Sequence, residues 1–313
     1  MTHDFTVAER IALREHGIEL FADRVIFDAQ PPMSEAAIAA VQDVCAGPLP
    51  PALLALWRQT AGGRLAYDLS IAVDTDDGPR IEAISWCELS YNGNGRYRDL
   101  QGWIEHELEL AEAMAEDEGC DWNGKLDCLP FGGFEYCDRI YAVTAPDAPD
   151  RGGIVAWKMG LPPAWTPAPT EDVATTFAPD LPSAFTMLAL HQDPLAPDDD
   201  IHVGLDLLEY LDRRRQQHGM STDLIDALLT YYRRAWIDWR GLLDAGTLAA
   251  HPRALRVALT HAVERDDAEL LHRIAAAGCA LSGALAGDED ALARARRLKK
   301  KVAIDALATL LPR

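Results

Sequence analysis

Glu105, Glu109, Glu112 and Glu116 recur at helical spacing in residues 100–118. At about 100° per residue they fall within an arc of about 60°, while Trp103, Ile104, Leu108, Ala111 and Ala115 take the other side. Like charges at such spacing destabilise a helix by roughly 0.2–0.5 kcal/mol per pair. No lysine or arginine lies in this stretch to relieve them. Such a row either stands solvated or holds the cations of a partner, whose Arg and Lys side chains relieve the repulsion. Carboxylate pairs also serve as general acid and base, but among 50 acidic residues no pair stands apart for that role.

Other chemical patterns fail on spacing. Asp74-Thr-Asp-Asp-Gly78 has the look of a calcium loop, but Gly78 falls at position 5 and Ser85 at position 12, where an EF-hand needs Gly at 6 and Glu at 12. It reads as a hairpin turn with Asp76 and Asp77 near its tip. Asn92-Gly-Asn-Gly95 lacks the lysine and spacing of a phosphate loop. His106-Glu107 has no second histidine four residues on, and no G-x-S-x-G elbow occurs. The six cysteines contain no C-x-x-C pair; Cys120, Cys128 and Cys137 form the only loose group and read as free thiols. No metal, no cofactor and no enzymatic activity are therefore expected. Trp122 and Trp165 sit in loops beside Gly or Pro and read either as core or as exposed interface anchors.

The chain has 313 residues, 49% of them hydrophobic, enough for real cores and about two domains. Residues 1–200 carry 35 acidic against 12 basic side chains, a net −23, and residues 201–313 carry 15 against 17, a net +2. A field of that sign repels nucleic acid and anionic membranes and favours a basic partner. A basic run, Arg294 to Lys301, reads as a solvated helix face or a contact with the chain's own acidic part. No apolar run reaches the length of a membrane span and Met1–Arg10 has no apolar core, so a cytoplasmic location is expected.

The elements that position these residues divide near Asp193–Asp200, rich in Pro and Asp. Two domains are expected, 1–195 and 196–313. In the first, Ser34 caps a helix and Leu49-Pro-Pro-Ala-Leu-Leu-Ala-Leu-Trp-Arg-Gln-Thr-Ala-Gly-Gly63 forms a second, opened by proline and stopped by glycine. Strands are expected over 65–73, 81–86, 128–131, 139–144, 154–159 and 173–177, with helices at 100–118 and 181–191. In the second, helices are expected near 203–217, 221–240, 252–261, 266–277 and 288–311. Gly246 and Gly278 lie 32 residues apart, each after an apolar helix end. A period near 33 suits ankyrin repeats, although T-P-L-H-x-A is absent, so an ankyrin-like stack and a generic helical domain both stand.

The ordered segments of residues 31–190 resemble the SUKH superfamily. Leu49–Gly63 is similar to its "LP…GG" helix and turn, with Thr60-Ala61 where the family usually has Asn before the glycines. Pro32–Val41, Ile84-Ser-Trp86, Leu129–Gly133, Ile140–Thr144, Gly153–Trp157, Val173–Phe177 and Phe185–Leu188 look like its first helix, later strands and closing helix. The resemblance implies an α+β domain with a curved, mainly antiparallel sheet and flanking helices, here followed by the α-helical region. It also implies an immunity protein that binds a cognate bacterial toxin of a polymorphic or contact-dependent secretion system. With the acidic surface, the expected partner is a basic toxin such as a nuclease or deaminase, held over its active site by Glu105, Glu109, Glu112, Glu116, Trp122, Asp76 and Asp77. The other open reading is a regulatory scaffold for a housekeeping partner, as in the family's fungal branch.

Overall fold

The computed structural model describes residues 5–75, 78–93, 99–119, 121–134, 137–158, 173–196, 203–286 and 289–311. In chain order the elements begin with α1 (Val7–Glu15), β1 (Ile18–Phe21), β2 (Arg24–Phe27), α2 (Glu35–Val44), α3 (Pro51–Trp57) and β3 (Gly63–Arg64). There follow β4 (Leu69–Thr75), β5 (Gly78–Ile84), β6 (Glu88–Leu89), α4 (Leu100–Glu118), β7 (Cys128–Phe134), β8 (Asp138–Val143), β9 (Ile154–Lys158), β10 (Val173–Ala178) and α5 (Leu181–Met187). The remainder comprises α6 (Leu205–His218), α7 (Thr222–Tyr232), α8 (Trp239–Asp244), α9 (Pro252–Glu264), α10 (Ala268–Ala276), β11 (Ala284–Ala286), β12 (Glu289–Asp290), α11 (Ala291–Arg297) and α12 (Lys301–Leu310). The protein is α+β, with a mostly antiparallel sheet and a helical C-terminal half.

Two compact units divide the chain. The first takes in residues 1–69, 84–189 and 199–235. Its sheet has eight strands in the order β1-β2-β3-β6-β7-β8-β9-β10, with antiparallel neighbours throughout. Trp86, fully buried, meets Phe131 and Phe185 edge-on at centroid distances of 6.0 and 5.2 Å, a favoured aromatic geometry.

The local chemistry accounts for several elements. The Thr6 hydroxyl and Glu9 carboxylate form a capping box on α1, and Ser34 caps α2. In α3, Pro51 sits in the first turn and Leu53, Leu56 and Trp57 are buried. Gly62 and Gly63 do more than stop this helix. A Cβ on Gly62 would lie 2.4 Å from the Leu89 carbonyl oxygen, and one on Gly63 2.8 Å from Ile26 Cγ2. Bare backbone is needed there because the chain runs hard against β6 and β2.

The compact units divide the chain elsewhere than at the expected 195/196 boundary. Helices α6 and α7 belong to the first unit. The Tyr210 hydroxyl donates to the His16 carbonyl at 2.8 Å, and its ring meets Phe27 at 5.4 Å. The Tyr232 hydroxyl donates to the Ala66 carbonyl, and Arg64 pairs with Asp206. These aromatic anchors hold the helices against the β1–β3 end of the sheet, whereas the composition changes earlier, near residue 200.

The second unit takes in residues 70–83, 190–198 and 236–313. Its core gathers Trp239, Leu243, Val257, Leu259, Leu271, Ile274 and Leu307. The expected single helix over 288–311 is instead the β12 strand, α11 and α12, with Lys299 between the helices at φ 58°. Asp266 holds the matching place between α9 and α10 at φ 57°, 33 residues earlier. The basic run is used locally: Arg294 pairs with Glu264 and Arg297 with Glu289.

Candidate functional site

Helix α4 is the element on which the candidate site is built. The Asp99 carboxylate caps it by accepting from the Gly102 N–H at 2.9 Å, and Gly119, at φ 64°, ends it. Its first half is pinned by Leu100, Trp103 and Ile104, all buried. Glu107, one turn beyond Trp103, points the same way.

Glu107 meets an ionic cluster on the sheet. The Arg139 Nη1 lies 3.0 Å from Glu107 Oε1, and the Tyr141 hydroxyl donates to the same oxygen at 3.0 Å. Arg139 and Tyr141 alternate along β8 and so share a face. Trp157 pairs with Arg139 across β9, and the guanidinium centre lies 4.1 Å from the Trp157 ring centroid and 5.0 Å from that of Trp103. The side chains of Arg139 and Glu107 are only 10% and 17% exposed. Burial, reinforced by the Glu107 charge, pushes the Tyr141 phenol well above its ordinary pKa, so it remains a hydrogen-bond donor. Arg139 Nε is buried with no hydrogen-bond partner among the described residues, a cost that removal of Glu107 would compound. This cluster locks α4 in place.

The outer surface of α4 carries the expected row. Glu105, Glu109, Glu112 and Glu116 are all exposed, and the Gln101 amide donates to Glu105 at 3.0 Å. Among the described residues no cation pairs with any of the four. The stripe of Trp103 and Glu107 continues at helical spacing through Leu110 and Met114, yet these are 42% and 61% exposed. The second half of α4 therefore exposes the carboxylate row on one side and this apolar pair on the opposite side.

The structure does not bring every expected residue to this surface. Trp122 is half-buried, and its indole N–H donates to the Lys125 carbonyl at 3.0 Å, so its polar edge is used within its own loop. Asp76, Asp77 and Trp165 lie outside the described residues. Leu110 and Met114 were missed because their place in the periodic stripe suggests burial. Glu107 was missed for the converse reason, although a lone carboxylate inside an apolar stripe signals a buried partner.

Among the described residues no group of three or more His, Cys, Asp or Glu is placed to hold a metal ion. Burial pushes the thiols of Cys45, Cys87 and Cys128 up to about 11, away from the reactive thiolate. No described helix is long and apolar enough to cross a membrane. Compared with protein-family models, curated proteins and solved structures, the chain matches none.

Proposed function

We propose that this chain is an immunity protein with a SUKH-like domain that binds a cognate toxin in the cytoplasm and neutralises it by covering its active site. The observation that carries the reading is the outer surface of α4, where four exposed glutamates form one row with no paired cation among the described residues. The row supplies charge complementarity. A nuclease or deaminase toxin presents Arg and Lys side chains that hold phosphates, and these are suited to a carboxylate row. The protein acts by binding, with no bond made or broken.

Further support comes from the order of the family-like segments between Pro32 and Leu188 and from the net −23 on residues 1–200. The 33-residue spacing of Asp266 and Lys299, each in a left-handed turn between two helices, supports an ankyrin-like reading of the C-terminal helices. Co-expression with the toxin encoded beside it tests the reading. Protection of the host, lost when Glu109, Glu112 and Glu116 are reversed to Lys, supports it. No protection by the unaltered chain removes it.

A further inference from the structure

A groove on the first unit collects arginines in an otherwise acidic half of the chain. Arg14 of α1 and Arg58, the residue that ends α3, both line a cavity of about 300 Å³, with Gln59, Gln30, Pro31 and Pro32. A smaller pocket sharing Arg14 and Gln59 extends it to Arg10. The walls are tied by backbone hydrogen bonds: Gln30 N–H to the Gly62 carbonyl at 3.0 Å, Ala61 N–H to Pro31 at 3.0 Å and Met33 N–H to Trp57 at 2.8 Å. The groove is thus formed before any ligand arrives, which lowers the cost of binding.

Two carboxylates hold the guanidinium groups by one edge each. Arg14 donates through Nε and Nη2 to Glu19, which is buried. Arg58 donates through Nε and Nη2 to Glu35 at 2.9 and 3.2 Å. Among the described residues, each arginine keeps Nη1 uncommitted and the Gln59 side-chain amide makes no hydrogen bond. With Arg10 the groove carries one more positive than negative charge, in a chain of net −21.

The geometry points to a carboxylate-binding groove. A ligand carboxylate takes the uncommitted donors of Arg14 and Arg58, the Gln59 amide bonds an adjoining polar group, and Pro31 and Pro32 pack along its carbon chain. A planar fork suits a carboxylate, and the volume suits a small dicarboxylate or a few residues of an acidic peptide. This site is separate from the α4 surface and stands whether or not α4 binds a toxin.

Calorimetric titration of the full chain with glutarate, with acetylated and amidated Glu-Asp-Glu, and with orthophosphate tests the assignment. Saturable binding of glutarate or the tripeptide is expected, and the tighter of the two identifies the source as a free acid or a peptide. Arg58→Gln should weaken that binding by about tenfold or more, and Arg58→Lys should not restore it. Arg58 and Glu35 are both exposed, so the variant is expected to fold; Gln59→Ala gives a second, uncharged test. No saturable binding of either carboxylate, unchanged affinity in both variants, or equal affinity for orthophosphate overturns the proposal.

Discussion

Arg139 Nη1 sits 3.0 Å from Glu107 Oε1, joining β8 to α4 between the rings of Trp103 and Trp157. Breaking a largely buried pair by removing one partner costs about 3–5 kcal/mol, because the other charge is left buried. Glu107→Ala should therefore destabilise the protein by about 3 kcal/mol, read as a lower urea midpoint. Replacing both partners, as in Glu107→Leu with Arg139→Met, should cost less than the sum of the single changes. Additive losses would show that the two side chains act independently.

The row on the other side of α4 should behave in the opposite way. Glu109→Gln and Glu112→Gln remove like-charge repulsion, so each should leave stability unchanged or raise it by a few tenths of a kcal/mol. The same changes should weaken toxin binding. A stability loss above about 1 kcal/mol would mark these glutamates as structural.

Gly62 is held where a Cβ would lie 2.4 Å from the Leu89 carbonyl oxygen. Gly62→Ala must push β6 away from the end of α3 and should cost about 2 kcal/mol in denaturant unfolding. A neutral result would mean that the backbone relaxes there at no cost.

Stability should fall in alkali. Burial raises the Cys45, Cys87 and Cys128 thiols to about 11, against about 8.5 when unfolded. The Tyr67, Tyr141 and Tyr232 phenols are also raised by burial, from about 10. Between the unfolded and folded pKa values the native state holds protons that the unfolded state has lost. This contribution is fully present below about pH 8.5 and is lost as pH rises towards and past the folded values. Thermal midpoints should be level from about pH 7 to 8.5 and then decline. A rising midpoint over that alkaline range would contradict the assignment.

The parts of the fold that were legible in the sequence carry their own punctuation. Helix α4 runs from the Asp99 cap to Gly119, and its expected limits of 100–118 match the observed Leu100–Glu118. Strands β7, β8 and β9 fall within a few residues of their expected positions because apolar alternation and the Asp147–Gly153 turn frame them. The β1–β2 hairpin escaped notice because its turn is Ala22-Asp23, at φ 43° and 59°, without the Asn-Gly pair that marks such turns. The break at Lys299 was hidden likewise, since lysine gives no warning of a left-handed turn. At the candidate site the charge row could be read from spacing alone. Glu107 and Arg139 could not, because their pairing depends on two elements that only the folded chain brings together.

If α4 steers and holds a basic toxin, its carboxylates set how fast the two meet. The association rate with a basic toxin, should one be encoded beside this chain, measured by stopped flow from low to high salt, tests that steering. A fast rate at low salt that falls steeply as salt rises is expected, with a slower, flatter rate when Glu105, Glu109, Glu112 and Glu116 are all changed to Gln. Identical rates and salt dependence for the two proteins would contradict it.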